Sequence, residues 1–155
     1  MMGGGQQQQQ QLQQLSQELE ELDVEIEEKE AEIEEFQAEK EGVDDAIEAI
    51  ETLDSGSTVQ VPLGGGAYLR AEVQDIDEII VDLGGGYAAE QDSTDAIDAL
   101  KSKKESLDDR ISEVRSEIAD LEQESQELEQ RAQQMQQQMQ QQQMQQMQQQ
   151  AEDDQ

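Results

Sequence analysis

Cysteine and histidine are absent from the 155 residues, which include only one proline, two tyrosines, one phenylalanine and no tryptophan. Without cysteine, neither a disulfide framework nor a thiolate metal site can form. Without histidine or cysteine, the carboxylates lack the partners that nucleophilic and acid–base catalysis need, so we expect no enzymatic activity, metal or cofactor. There is also no secretory signal pattern and no run of about eighteen apolar residues that could span a membrane. We therefore expect a cytoplasmic protein.

Positive charge is scarce as well, with 9 basic against 40 acidic residues and a formal net charge of −31. Because such a surface cannot neutralise phosphates, we expect no nucleic acid partner and no anionic membrane partner. Few aromatic residues and high charge are compatible with disorder. The acidity alternatively fits a salt-rich cytosol, where counterions screen the repulsion among carboxylates. We favour this second explanation, which predicts a halophile and a stability that falls at low salt.

Two segments carry apolar residues in alternating steps of three and four, from position 12 to 50 and from position 97 to 139. This spacing is that of the a and d positions of a coiled coil, and it overturns disorder for the middle of the chain. We predict helices at residues 12–54 and 93–150, each roughly 65 Å long or more at about 1.5 Å per residue. The predicted boundaries leave a flexible Gly/Gln-rich start at residues 1–11 and an acidic tail at residues 151–155.

An antiparallel pairing of the two segments can be given a register, because the numbers of facing residues then add to a constant. A sum of 147 pairs Leu12 with Met135 and centres the chain reversal between residues 73 and 74. We call the line of a and d positions along which the helices meet the seam. In this register each lysine of the seam, at positions 29, 40 and 104, faces an apolar residue and can reach acidic neighbours. We interpret these lysines as register-setting and not as catalytic.

Between the helices, at residues 58–91, the apolar period changes to two, and a strand, three glycines and a second strand occur twice. This order predicts two β-hairpins. Neither glycine triplet precedes Lys-Ser or Lys-Thr, so we interpret both as turns and not as phosphate-binding loops. The predicted fold class is mainly α with a small β region: a long antiparallel coiled-coil hairpin whose helices are joined by two β-hairpins.

Isolated hairpins are marginally stable and expose open edges, so we expect these two to be completed by other subunits. The hairpin region would then be the oligomerisation body. Its apolar candidates for subunit contacts are Val59, Val61, Leu63, Tyr68, Leu69, Val73, Ile79, Ile80, Val81, Leu83 and Tyr87.

The second helix ends in a glutamine tract with Met135, Met139, Met144 and Met147. In the register above, the last three lie opposite only glutamine and glycine, so they have no apolar partner. One interpretation is a disordered tail without a role. The other is an adaptable apolar surface for promiscuous binding, because methionine is unbranched and polarisable. The position at the expected tip favours the second interpretation.

The runs VPLGGGAYLRA at residues 61–71 and IVDLGGGY at residues 80–87, between two long helices, resemble the alpha type of the archaeal prefoldin family. That resemblance implies a hexamer of two alpha and four beta subunits, with a double β-barrel body and coiled-coil tentacles. It also implies an ATP-independent holdase that captures unfolded polypeptides at the tentacle tips and transfers them to a group II chaperonin. The implied tip residues are Leu12, Leu15, Met135, Met139, Met144 and Met147.

Two other functions fit parts of the sequence. A structural coiled-coil adaptor would oligomerise through its hairpins and bind one specific partner. An acidic mimic of nucleic acid would sequester basic proteins, but the repeated hairpin has no role in that function, so we rank it last. Suppressing the aggregation of several unrelated denatured proteins without ATP would favour the holdase over the adaptor.

Overall fold

The structure is a computed structural model that describes residues 3–153. Along the chain, one long helix precedes four short strands and a second long helix follows them. The elements are α1 (Gly3–Thr52), β1 (Thr58–Gly64), β2 (Ala67–Glu72), β3 (Ile79–Gly84), β4 (Tyr87–Gln91) and α2 (Ser93–Asp153). The strands form two separate antiparallel pairs, β1 with β2 and β3 with β4. The predicted fold class, mainly α with two small β-hairpins between the helices, is confirmed.

Both helices are longer than the sequence pattern indicated. Residues 3–11 are helical where we expected a flexible start, and residues 151–153 are helical where we expected an acidic tail. Glutamine ranks among the better helix formers, which accounts for helix beyond the last heptads. The rest of those two predicted segments, residues 1, 2, 154 and 155, lies outside the described residues. Within residues 3–153, neither helix has a stretch apolar enough to cross a membrane.

The start of α2 is held by side chains from the loops around it. The Asp92 carboxylate accepts a hydrogen bond of 2.7 Å from the backbone N–H of Asp95, which is the contact of an N-cap residue. Ser93, the first helical residue, donates its hydroxyl to Asp77 Oδ1 at 3.1 Å. Since Asp77 lies between the two hairpins, this bond ties their connection to the helix.

Each hairpin turns at its glycine triplet. In the first, Gly64 pairs with Ala67 and leaves Gly65 and Gly66 as a two-residue loop, with φ of 60° and 82°. Positive φ at both positions is what a type I′ turn requires, and glycine adopts it without a Cβ clash. The second hairpin repeats this geometry. In both, the register skips one residue before the turn, so that Leu63 and Leu83 are unpaired bulge residues.

The chain divides into two compact units. The hairpin unit, Glu34–Ser112, has a core to which both helices and β3 contribute. There Lys40 pairs with Asp108, Lys104 Nζ lies 2.7 Å from Asp44 Oδ1, and the Arg110 guanidinium lies 5.6 Å from the centre of the Phe36 ring. The buried apolar residues of this unit are Val43, Val81, Ala96, Leu107 and Ile111.

The helical unit contains the chain up to Ile33 and from Glu113 onward. It buries Leu22, Val114 and Ile118, all at predicted seam positions. Lys29 Nζ lies 2.6 Å from Glu117 Oε2.

The ion pairs test the predicted register inside each unit. The numbers 29 and 117 add to 146, whereas 40 and 108, and likewise 44 and 104, add to 148. These sums lie on either side of 147, as expected when a seam lysine reaches past its facing residue to the next position. Hydrogen bonds to Glu117 and Asp44 raise the pKa of Lys29 and of Lys104, which favours their charged forms. The predicted register is confirmed by these contacts.

Leu107→Ala is expected to lower the free energy of unfolding by about 2–5 kcal/mol, because it leaves a cavity in the seam. Leu107 is 5% exposed. For a chain of this size the loss corresponds to a melting temperature lower by roughly 4–20 °C, measured by circular dichroism in molar KCl. Val24→Ala is the matched control, since Val24 is 54% exposed on α1. Equal effects of the two substitutions would show that the seam is not the core.

Candidate functional site

Two regions of residues 3–153 carry exposed apolar side chains. The first, called here the hairpin surface, consists of seven of the eleven residues proposed from the sequence for subunit contacts. All seven side chains are exposed, and Ile80 and Tyr87 are the most exposed at 75% and 76%. The members of the hairpin surface are Val61, Leu63, Tyr68, Leu69, Ile80, Leu83 and Tyr87.

The other four proposed residues are buried or half-buried within the chain itself. Val81 is 6% exposed and lines a groove together with Ala99 and Leu107 of α2, so it is not available to another subunit. Val59 lines a groove with Leu53 at the end of α1. Val73 and Ile79 are half-buried, as is Val59. The period-two pattern identified these residues as apolar, but it contained no signal that separates an inner face from an outer one.

The second surface lies in the helical unit and contains the six predicted tip residues. The structure divides them into two groups. Leu12, Leu15, Met135 and Met139 are half-buried at seam positions. Met144 and Met147 are exposed, because the heptad spacing continues from 139 to 142 and 146 and leaves both methionines off the seam.

Leu15 and Met135 line one groove of about 390 Å³ in this unit. A second groove, of about 550 Å³, is lined by Gly5, Gln8, Met139 and glutamines of α2. Gln8 is half-buried, and the numbers 8 and 139 add to 147, so the seam register extends to this pair. Gly5 and Gln8 did not stand out in the sequence as site residues. Extending the register by one more heptad would have identified both.

Glu18 and Arg131 line the first groove, but the side chains farther along both helical ends carry no charge. The sequence has no acidic or basic residue from Met1 to Gln17, or from Ala132 to Ala151, although the whole chain has a net charge of −31. An apolar ligand can therefore contact Met139, Met144 and Met147 without desolvating a carboxylate, which would be costly. Thioether side chains adapt to ligands of different shape. The arrangement favours binding of varied apolar segments over any chemical step.

Among residues 3–153, no group of three or more carboxylates is placed to hold a metal ion.

Comparison with known proteins agrees with this architecture. The prefoldin family model, described as prefoldin subunit, matches residues 15–150. The chain is 74% identical over 115 residues to prefoldin subunit alpha of Halorubrum lacusprofundi, covering 74% of each. It is 66% identical over 113 residues to prefoldin subunit alpha of Halobacterium salinarum, covering 73% of this chain and 72% of the relative. A cryo-EM structure of filamentous PFD from Methanocaldococcus jannaschii matches with a TM-score of 0.63 at 23% identity, over 73% of this chain and 96% of that one. At that identity the match supports the fold alone.

Proposed function

Because this chain belongs to the prefoldin family, which is a family of chaperones and not of enzymes, we propose that it is a holdase subunit that captures unfolded polypeptides without ATP. The predicted resemblance to the alpha type is confirmed by relatives named prefoldin subunit alpha, and the predicted halophilic character by the salt-loving archaea they come from. The cytoplasmic location stays a prediction.

In this proposal, capture takes place at Leu12, Leu15, Met135, Met139, Met144 and Met147. The observation that carries it is the exposure of Met144 and Met147, at 68% and 73%, within a glutamine surface free of charge. A group of exposed apolar side chains surrounded by polar residues is a typical mark of an interaction site. Methionine side chains are long and unbranched, and they can therefore adapt to many unrelated sequences.

The proposal also includes an assembly of subunits and a chaperonin that accepts the captured polypeptide. We place two copies of this chain with four beta subunits, joined through the hairpin surface, and we expect transfer to a group II chaperonin. Prefoldin subunits form oligomers, and the similar archaeal protein from Methanocaldococcus jannaschii is filamentous. The stoichiometry and the chaperonin step rest on the family resemblance, whereas the hairpin contact also rests on the seven exposed apolar residues.

The double substitution Met144→Ser and Met147→Ser tests the capture surface. Burying one large apolar side chain contributes about 1.5–3 kcal/mol, so we expect that at least about tenfold more of the assembled variant is needed to protect a denatured protein. Light scattering of several unrelated denatured proteins, diluted into buffer without ATP, measures this. The melting temperature should not change, because both side chains are exposed.

Val24→Ser is the control, since it removes a solvent-exposed apolar side chain, 54% exposed, from a part of α1 that is rich in charge. This variant should protect clients as well as the unmodified protein does. Normal protection by the double methionine variant would contradict the proposed capture surface. Protection of one client only would favour the adaptor, and binding of basic proteins that salt abolishes would favour the acidic mimic.

A further inference from the structure

We propose that Met144 and Met147 form a reversible oxidation site, at which a peroxide converts both thioethers to sulfoxides and so lowers the affinity of the chain for unfolded clients. This inference rests on the proposed function and deepens it, because it names a chemical modification that regulates the same surface. It concerns only residues of the helical unit.

The first supporting observation is where the readily oxidised side chains lie. Cysteine, histidine and tryptophan are absent from the sequence, so thioethers are the groups that a peroxide attacks. Apart from the first two residues, every methionine lies within residues 135–147. The seam from position 12 to 50 and from position 97 to 128 contains no methionine, and neither do the hairpins at residues 58–91. Oxidation therefore spares the apolar contacts that hold the chain together and acts on the proposed capture surface.

The second observation is that exposure divides these methionines into two classes. Met144 and Met147 are exposed, whereas Met135 and Met139 are half-buried at seam positions. Because the rate of oxidation follows the exposure of the sulfur, Met144 and Met147 react first. They lie three residues apart on α2, which makes them neighbours on the helix surface. A low dose of peroxide therefore changes one exposed apolar pair and leaves the end of the seam intact.

The reaction at each sulfur is a two-electron transfer of oxygen. A sulfur lone pair attacks one oxygen of hydrogen peroxide, the O–O bond breaks, and the other oxygen leaves as hydroxide. The hydroxide takes the proton of the transferred O–H group, so a thioether and a peroxide give a sulfoxide and water. Methionine sulfoxide reductases reverse the oxidation by releasing the oxygen as water, with electrons from two thiols that become a disulfide. Both side chains are exposed, so an oxidant and a reductase can reach them.

A sulfoxide at these positions removes the property on which capture depends. The S=O group is polar, so burying it against an apolar client side chain, which offers no hydrogen-bond donor, is unfavourable. In the absence of a client, water and glutamine side-chain amides can donate to it. Residues three or four positions from Met144 on the helix include Gln140, Gln141 and Gln148. Oxidation therefore stabilises the free surface relative to the occupied one.

Dilute hydrogen peroxide tests the site on the assembled protein, with the peroxide removed before a denatured client is added. Mass spectrometry of peptides should find one added oxygen atom on Met144 and on Met147 before Met135 and Met139 react. We expect that at least about tenfold more of the oxidised assembly is then needed for the same protection, because two apolar contacts are lost. The helical circular dichroism and the assembly should not change. Reductases for both sulfoxide epimers, supplied with a dithiol, should restore protection.

Two leucine variants assign the loss to the exposed pair, and each is compared with its own untreated sample. Leucine is apolar and similar to methionine in volume, but it has no sulfur to oxidise. Met144→Leu with Met147→Leu should need the same amount of protein before and after peroxide. Met135→Leu with Met139→Leu should become as sensitive to peroxide as the unmodified protein. Both variants are assembled with the same partner subunits, so oxidation of those subunits would lower protection in both.

Each outcome separates the oxidation site from the proposed function. If the protein protects normally with Met144 and Met147 found as sulfoxides, while Met144→Ser with Met147→Ser fails, the oxidation site is overturned and the capture surface stands. If both protect normally, both ideas fall. An equal loss after peroxide in Met144→Leu with Met147→Leu and in the unmodified protein would also overturn the oxidation site. Protection that the reductases do not restore would overturn its reversibility.

Discussion

The assembly is expected to separate into its subunits when Tyr68, Ile80 and Tyr87 are replaced together by lysine. All three side chains are at least 64% exposed in the single chain, so the substitutions should leave its helical circular dichroism unchanged. Each buried apolar side chain contributes about 1.5–3 kcal/mol to a contact, and three losses weaken the association by at least about a thousandfold. Native mass spectrometry and light scattering, on the chain purified with its partner subunit, measure this.

The control for the assembly experiment is Met144→Lys with Met147→Lys. These two side chains are as exposed and as apolar as those of the hairpin surface, but they lie in α2 at residues 144 and 147. The control adds two lysines where the hairpin variant adds three, so it also reports most of any general effect of lysine on solubility. This variant should assemble normally. Full assembly of the hairpin variant would show that the subunits contact each other elsewhere.

Dilution from molar to about 10 mM KCl is expected to lower the melting temperature by about 10 °C or more. Screening extends over about 3 Å at 1 M salt and about 30 Å at 0.01 M, so dilution exposes the repulsion within a chain of net charge −31. On the helices, on the order of ten pairs of acidic residues lie four apart, such as Glu28 with Glu32, and each destabilises by about 0.2–0.5 kcal/mol. A loss of 1 kcal/mol lowers the melting temperature by about 2–4 °C in a chain of this size.

A triple variant identifies repulsion as the cause of this salt effect. Glu28→Gln, Glu34→Gln and Glu41→Gln each remove one member of an acidic pair on α1, and none of these three residues takes part in an ion pair found in the structure. The variant should melt higher than the unmodified protein at low salt and about equally at high salt. A melting temperature that does not change between low and molar KCl would remove the halophilic explanation of the acidity.

The helical register could be predicted from the sequence because it depends only on the spacing of apolar residues. The predicted sum of 147 places Lys29 and Lys40 opposite Ile118 and Leu107, and the structure finds their ammonium groups at Glu117 and Asp108. The two hairpin turns could be predicted for a similar local reason. Gly65 and Gly66 have positive φ, which glycine tolerates and most residues do not.

The candidate site could be predicted from the sequence only in part. The methionines were visible as an apolar tract, but their division was not, since Met139 lies in the seam and Met144 lies outside it. Gly5 and Gln8 belong to a repetitive glycine and glutamine segment in which no single residue stands out. Their role in the groove depends on which residue of α2 lies opposite.

The sequence by itself therefore determined the two helices, the two hairpins, their turns and the register, because periodicity and glycine placement act through neighbouring residues. Only the tertiary structure decided that Val81 is buried within its own chain while Val61 is exposed, and that the seam ends in an empty position at Gly5. Burial depends on what packs against a residue from elsewhere in the chain. A local pattern identifies which residues are apolar, but the surface opposite decides which of them stay free to bind.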